Sequence, residues 1–580
     1  MNTAKPMYRW EEIRWKSVQQ RVFKLQKRIY RASQRGDGQA VRLLQKLLVD
    51  SFAAKLLAVR KVAQENQGKN TPGVDGFSRL RNHQKLRLAQ ELRLSDKSKP
   101  TKRVWIPKPG RQEKRPLGIP TMEERARQAL AKLALEPEWE AKFEPNSYGF
   151  RPGRSAHDAI AALFNAVNQR EKYVLDADIE KCFDRIDHQK LLDKVNTYPT
   201  MRRQLRAWLK AEVMDGRQLL PTHAGTPQGG VISPLLANIA LHETHLKKKF
   251  TTRFKGRNQT LSVVRYADDF VILHESKGII QMAKEETEQW LNEIGLQLKE
   301  SKTRLCHTLI SDGCQNAGFD FLGFNIIQRG MNPKHTGGYP GTDRKRGFKT
   351  FITPSKEAVS RFKKMIGELI MSSRNLSQKK LIDRLNPRIL GWARYYRTVV
   401  SSRTFSKLDG YIFQKLRGWA VYRHPNLTIG PILSKYWGMN RGLGWKFITS
   451  DNRHELARLS SVKITRHVKV FQDRTPYDGD FDYWSRLVRF PTITEVSKVL
   501  LRKQAYKCAY CGLQILPSDP FELHHKNKNR ENNRTSNLEA VHMHCHDVIH
   551  AKAGIVVDQE NEEPDEGKLS RPVLKERGGQ

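Results

Sequence analysis

The sequence predicts an α+β chain of several domains, and three observations predict it. Apolar residues alternate through YVLDADI (173–179), and two apolar, β-prone runs flank YADD in LSVVRYADDFVILHE (261–275), the patterns of strands. They recur every three to five residues across 10–66 and again across 359–419, the pattern of amphipathic helices. At 580 residues the chain is too long for one core, and about three or four domains are expected. Its 38% hydrophobic content, with 11 Trp, 16 Tyr and 23 Phe, can fill several cores and excludes a disordered chain.

The charge narrows the partner. Lys and Arg number 104 against 60 Asp and Glu, a formal +44. A compact fold with that excess repels itself unless a polyanion neutralises it, so nucleic acid is the expected partner. No apolar run approaches the roughly 18 residues of a membrane span, and no lipidation motif is present, so no membrane partner is expected. The N-terminal MNTAKPMYRWEEIRW lacks an apolar signal core, and retention in the compartment of synthesis is expected. Cys182, Cys306 and Cys314 are scattered, whereas Cys508, Cys511 and Cys545 cluster late. That grouping points to metal rather than to a disulfide framework.

Taken in order, Ile13, Val18, Val22, Leu25 and Ile29 mark one basic helix. Val41 to Val62 mark a second after the Gly36-Asp37-Gly38 break, each packing one face and offering the other to RNA. Thr71 to Gly76 is a loop. VWIPKPGRQEKRPLGIP (104–120) reads as a β-hairpin whose basic tip carries Lys108, Arg111, Lys114 and Arg115, cations suited to clamping a triphosphate. SYGFRPGRSAHDAI (147–160) is a loop entering a helix, with Arg151 and Arg154 placed for phosphate contact.

In the strand 173–179, Asp176 and Asp178 share a face and Asp178 stands at the strand end. LPTHAGTPQGGVISPLLANIALHETHL (220–246) runs from a glycine-rich loop into a helix. Ser233 is its expected N-cap and Pro234 its first helical position, while Gly229-Gly230 permits close backbone approach. The hairpin 261–275 then carries Asp268-Asp269 at its tip with no glycine. Adjacent carboxylates repel unless a cation sits between them, and a hard ion such as Mg²⁺ serves.

A helix over 282–294 and strand-like runs at 296–305 and 319–326 follow, with a linker expected at 329–353. Three helical stripes come next: Val359 to Ile370, Leu381 to Trp392 with Leu385 and Leu390, and Phe405 to Trp419, a small bundle. Arg394-Tyr395-Tyr396-Arg397 mixes rings and cations that suit RNA. Residues 440–499 are aromatic and basic without a period, and the acidic, Gly- and Pro-containing tail reads as disordered.

YADD, with RPLGIPTMEERARQ, SYGFRPGRSAHDA, DADIEKCFDRIDH and GTPQGGVISPLLANI before it in that order, resembles the group II intron-encoded reverse transcriptase/maturase family over about 70–425. The resemblance implies a right-hand polymerase with fingers, an antiparallel palm sheet and an α-helical thumb. It implies that Asp178 and Asp268 ligate two Mg²⁺, with Asp269 in support and the backbone carbonyl of Ile179 as a further ligand. Lys108 and Arg115 would hold the incoming dNTP, Phe183 would exclude a ribose 2′-hydroxyl, and Gln228 would position the template or nascent pair. Lys302 would donate a proton to pyrophosphate. LIDRLNPRILGWARYYR (381–397) is similar to the thumb or maturase segment, but carries Leu390 and Arg394 where many members have Arg and Asn.

CAYCG (508–512) and ELHHKNKNRENNRTSNLEAVHMHCHDVIH (522–550) resemble an HNH endonuclease of the ββα-metal kind. The resemblance implies that His524, His546 and His550 hold one divalent ion, that His525 is the general base and that Asn537 braces and orients its loop. Cys508 and Cys511 with His542 and Cys545 have the spacing of a structural zinc site, although a Cys usually stands at the position of His542.

The domain expectation is a basic helical extension (1–76), fingers and palm (77–328), a linker (329–353), thumb or maturase domain (354–439), a DNA-binding region (440–499), a nuclease with zinc site (500–555) and a tail (556–580). The functional expectation is an intron mobility enzyme that binds group II intron RNA, assists splicing, nicks target DNA and copies RNA at the nick. It would act in a bacterial cytoplasm or an organellar matrix. A splicing-only RNA chaperone and a retron- or defence-type reverse transcriptase are the alternatives. Retention of all three Asp argues against the first, and the nuclease and thumb segments against the second.

Overall fold

The basic N-terminal stretch folds as α1 (Trp15–Gln34), α2 (Gly38–Asp50) and α3 (Phe52–Arg60). Gly36 takes φ +74° between the first two, and the Asp37 carboxylate caps α2 by accepting from Ala40 N at 3.0 Å. The single run expected over Val41 to Val62 is broken at Ser51, whose extended backbone (φ −64°, ψ 122°) ends α2. One π-helical turn, Lys61–Glu65, continues α3. Residues 9–107, 113–242, 261–311, 316–338, 343–439, 445–487, 494–516, 519–529 and 532–552 are described by this computed structural model. Lys108, Arg111, Cys314 and the tail 556–580 lie outside them. No described helix is long and apolar enough to cross a membrane.

After α4 (Asn82–Glu91), β1 (Thr101–Pro107) and β2 (Lys114–Ile119) form the expected antiparallel hairpin, with Ile106 opposite Arg115. Helix α5 (Met122–Glu140) packs against α1, and Gln26 Nε2 donates to its Leu133 carbonyl at 3.0 Å. The buried Arg125 guanidinium on α5 donates to the carbonyls of Gly68, Thr71 and Pro120 at 2.7–2.8 Å, pinning the 67–76 loop.

Helix α6 (Ala156–Val167) leads into β3 (Tyr173–Asp178), which α7 (Cys182–Arg185), α8 (His188–Val195) and α9 (Pro199–Leu209) follow. Strands β4 (Val213–Asp215) and β5 (Gln218–Leu220) then join the hairpin in a sheet of order β2-β1-β4-β5. A second sheet, of order β6-β7-β3-β8, is completed by β6 (Ser262–Tyr266), β7 (Asp269–His274) and β8 (Arg304–His307). Helices α10 (Ser233–Ala240) and α11 (Lys277–Glu293) flank it, α11 starting earlier than residue 282. The strand expected over 296–305 is interrupted by a 3₁₀ turn at Glu300–Lys302.

The run 319–326 is a tight hairpin, β9 (Phe319–Phe321) and β10 (Phe324–Gly330), turning at Leu322-Gly323 with both φ positive. The expected linker 329–353 instead contains β11 (Phe348–Pro354), antiparallel to β10. Its glycines and cations hide a strand whose apolar partners lie elsewhere in sequence.

The thumb is α12 (Lys356–Ser372), α13 (Gln378–Tyr396), α14 (Ser402–Arg423) and α15 (Ile429–Tyr436). It shares one core with the rear of the palm sheet, from Val174 and Leu273 to Phe324, Leu385 and Trp419. Tyr395 and Tyr396 belong to that packing: their rings lie 5.3 and 5.0 Å from Phe324, and Tyr395 lies 4.7 Å from His157. Arg397 is buried and donates to Thr465 Oγ1 at 2.8 Å. The expected RNA-stacking role of this segment is corrected for those three residues.

Strands β12 (Trp437–Met439) and β13 (Trp445–Phe447) open the region that sequence periodicity left unassigned. Beyond them the chain runs back over α6 and α5 as an irregular strap containing α16 (Phe481–Arg486). Buried Asp158 on α6 accepts from Val470 N (2.8 Å) and faces His467 Nε2 (3.0 Å), and Tyr477 OH donates to Glu136 (2.7 Å). Arg154 donates to the carbonyls of Pro145, Gln472 and Arg474. Arg151 is sealed against Glu140 at 2.9 Å, each side chain 1% exposed. Both arginines expected at phosphate therefore serve the scaffold. The chain ends in α17 (Glu495–Lys503), β14 (Phe521–His525), β15 (Leu538–His542) and α18 (Met543–Lys552), with their own small core.

Arg151→Ala leaves the Glu140 carboxylate buried without its cation. It is expected to destabilise the fold by about 3–5 kcal/mol, seen as a lower denaturation midpoint. Arg87→Ala, which removes an exposed pair with Glu91, is expected to leave the midpoint unchanged.

Candidate functional site

The palm register brings the carboxylates together. Asp178, last in β3, is the direct cross-strand partner of Asp269, first in β7, and Tyr266 opposite Asp269 closes the β6–β7 hairpin. Ala267 and Asp268 form the two-residue tip, with Ala267 at φ +58°. A non-glycine residue there is costly, and packing holds it. Gly149 lies so close that a Cβ on it would fall 2.2 Å from Ala267 N. Like charges directly opposite on paired strands repel. Carboxylate oxygens are the ligands a hard divalent cation takes, but Asp178, Asp268 and Asp269 do not converge within 4.8 Å as the two C-terminal clusters do among the described residues.

The end of β3 is held by backbone hydrogen bonds: Lys299 N donates to Asp178 O at 2.8 Å and Glu180 N to Gln297 O at 2.9 Å. Ile179, between them, bridges Leu298. The Lys302 ammonium donates to Asp178 Oδ2. Burial pushes the Asp176 carboxyl up to about 7 against the pull of Arg304, its cross-strand neighbour.

The glycine-rich loop joins fingers to palm. Gln228 O accepts from Gly118 N on β2 at 2.6 Å, and Gln228 Nε2 donates to Asp184 Oδ1 at 3.2 Å. Gly229, at φ +115°, lies so close to β2 that a Cβ would meet Gly118 O at 2.8 Å. The close approach read for this glycine is therefore to the fingers strand. Ser233 does not cap α10; its hydroxyl donates to Pro227 O at 2.8 Å, fastening the same loop.

Phe183 stands beside this loop. Its ring meets Phe150 edge-on at 6.2 Å and its carbonyl accepts from Thr226 N at 2.6 Å. Burial raises the Asp184 carboxyl, opposed by Gln228 and by the charges of Arg103 and Arg115. Arg103, two residues before Trp105 on β1, lies over the Trp105 ring at 5.7 Å and 4.0 Å from Asp215 on β4.

In the C-terminal module β14, β15 and α18 make a ββα unit, and one ligand atom each from His524, His546 and His550 lies within 4.8 Å of the others. His546 and His550 sit one helical turn apart on α18, with Nε2 atoms 3.0 Å apart. Glu522 lies against His546 Nδ1 at 2.5 Å, which aims Nε2 inward. His524 Nδ1 is buried with no hydrogen-bond partner, as a metal ligand's nitrogen is before loading.

Half-buried His525 points to the other face of β14, with Nε2 3.0 Å from Asn533 Oδ1. Asn537 braces the loop by accepting from Asn527 N and donating to Asn532 O. The side chain that touches His525 is thus Asn533, and Asn537 acts on the loop alone.

Cys508, Cys511, His542 and Cys545 also converge within 4.8 Å. Cys511 Sγ is 3.4 Å and Cys545 Sγ 4.0 Å from His542 Nδ1, while Asp519 is 3.9 Å from His542 Nε2. A soft S₃N set with an outer carboxylate suits zinc. Glu522, Asn533 and Asp519 were not foreseen; only the period-two placement of Glu522 with His524 carried a signal.

A polymerase palm with paired carboxylates, fingers and a helical thumb defines the class, and comparison with known families agrees. Residues 10–92 match the N-terminal domain of reverse transcriptase, 106–326 match reverse transcriptase (RNA-dependent DNA polymerase), and 359–437 match the group II intron maturase-specific domain. The chain is 33% identical to Protein YkfC of Escherichia coli (strain K12), over 47% of this chain and 80% of that protein. It is 30% identical to the Group II intron-encoded protein LtrA of Lactococcus lactis subsp. cremoris, over 47% of this chain and 55% of LtrA. It is also 27% identical to the Putative COX1/OXI3 intron 1 protein of Saccharomyces cerevisiae, over 47% and 38%. The chain belongs to the group II intron reverse transcriptase/maturase family.

Gly149→Ala should displace the Ala267-Asp268 tip and lower nucleotide incorporation by about 10²-fold in primer extension. Gly278→Ala, whose Cβ meets only Ser276 Oγ at 3.9 Å, should leave incorporation unchanged.

Proposed function

We propose that this chain is an intron mobility enzyme. It binds its group II intron RNA, assists splicing, nicks target DNA with its C-terminal module and extends the nick by copying RNA. The observation that carries the reading is a second set of phosphodiester chemistry, His525 beside the His524-His546-His550 cluster, in a chain whose palm places Asp178 opposite Asp269.

Asp178, Asp268, Asp269 and the Ile179 carbonyl would hold two Mg²⁺, which supply activation of a primer 3′-hydroxyl and charge neutralisation of pyrophosphate. Arg115, with Lys108, holds the dNTP triphosphate. The Phe183 ring closes the space a ribose 2′-hydroxyl needs, and Gln228, tied to both β2 and Asp184, steadies the template or nascent pair. Lys302 beside Asp178 delivers a proton to the departing pyrophosphate.

In the nuclease, His524, His546 and His550 would hold one divalent ion, which supplies charge stabilisation to the leaving oxygen. His525, oriented by Asn533, removes the proton from the attacking water. Cys508, Cys511, His542 and Cys545 would hold a structural zinc. The +44 charge supports RNA and DNA as partners, and the organisms of the relatives support a bacterial or organellar setting.

The two activities should separate. Asp178→Asn is expected to abolish primer extension and spare nicking of duplex DNA; His525→Ala should do the reverse. Loss of both activities in each variant would point to a shared site and overturn the reading. Phe183→Ala should admit ribonucleotides, seen as alkali-labile products. Elemental analysis should find zinc in the wild type and in His542→Cys, and little in Cys545→Ser.

A further inference from the structure

We propose that α18 is also a docking helix, joining the nuclease to the N-terminal reverse-transcriptase helices so that nick and polymerase site stand at a set separation. This rests on the nuclease reading above. Consecutive residues of α18 face three ways. Cys545 enters the zinc cluster, and His546 and His550 enter the nuclease metal cluster. His544 and Asp547 belong to neither.

His544 is 4% exposed yet has no task in either cluster. Its ring stacks on His542 at 5.1 Å and meets the edge of Trp15, on α1, at 6.5 Å. Its Nδ1 lies 4.0 Å from Glu65 Oε1 in the π-helical turn Lys61–Glu65. Glu65 also grips Arg60 at 2.8 Å, and the Arg60 guanidinium lies over the Trp15 ring at 4.6 Å. Burial raises the Glu65 carboxyl, but Arg60, Lys61 and His544 outweigh it and hold it at about 2.

Asp547, three residues beyond His544, lies on the exposed side of α18. On the zinc loop, Lys16 Nζ of α1 lies 3.6 Å from the position a Gly512 Cβ would take. A buried acid, imidazole, guanidinium and indole meeting across two domains form a network that is costly to leave half satisfied. His544 Nε2 and Arg60 Nη1 are already buried there without a partner, so the contact is not one of simple hydrophobic adhesion. A π-turn re-aims the side chains that follow it, and here it turns Glu65 toward His544. These residues are positioning residues: they touch no substrate, and act by holding the nuclease relative to the palm.

The test is hydrogen exchange on the full-length protein. Glu65→Lys is expected to raise amide exchange at least about tenfold in 543–552 as well as in 61–70. Primer extension from an annealed primer and nicking of plain duplex should stay at wild-type rates, while cDNA synthesis started from the protein's own nick falls. Glu65→Gln, which removes the charge and keeps the shape, should loosen the same two segments to a smaller degree, with zinc retained by elemental analysis in both variants. Unchanged exchange over 543–552 in both Glu65→Lys and Glu65→Gln, or loosening confined to 61–70, would overturn the docking. A wild type that never nicks DNA would instead refute the nuclease reading, with the exchange experiment still reporting on the dock.

Discussion

The structure depends on holding like charges together. Asp178 and Asp269 are set opposite one another across β3 and β7, with Asp268 beside them at a tip whose Ala267 has left-handed backbone. Neither arrangement is favourable on its own. The surrounding elements compensate: Gly149 admits the tip, Lys299 and Gln297 fasten the end of β3, and the apolar rear of the sheet is buried under the thumb. The scaffold thus keeps Asp178 and Asp269 paired although their charges repel.

The same scaffold explains the fate of residues that look like nucleic-acid ligands. Arg151 and Arg154 follow a Gly-Phe step in a loop, and Tyr395-Tyr396-Arg397 alternates rings with charge, yet all five are spent on internal contacts. In a chain with +44 formal charge, cations are available for structural work as well as for phosphate. A buried guanidinium that satisfies several carbonyls or one carboxylate stabilises a loop that no apolar side chain can. The strap over 461–486 is held by one such guanidinium, Arg154, and by two carboxylates, Asp158 accepting from Val470 N and Glu136 accepting from Tyr477 OH.

The C-terminal module concentrates candidate ligands on one short helix. Within α18 and the strand before it, His542 and Cys545 belong to one group able to hold a metal and His546 and His550 to another. Glu522 and Asp519 stand behind these ligands and set which ring nitrogen is turned inward.

By itself the sequence determined the α+β class, the strand that ends in Asp178, the Asp268-Asp269 hairpin, the thumb helices and both His/Cys clusters. Each is a local pattern: period two or near four, a turn, or ligands at fixed spacing on one element. Only the tertiary structure decided what depends on partners far along the chain. The end of the expected linker 329–353 became strand β11, from Phe348, because β10 supplies its hydrogen bonds. Arg103 met Asp215, Asn533 rather than Asn537 met His525, and Ser233 fastened Pro227 instead of capping a helix. Long-range pairing and burial choose among partners that composition and spacing leave equivalent, because the energy of a polar contact depends on what else shares its desolvated surroundings.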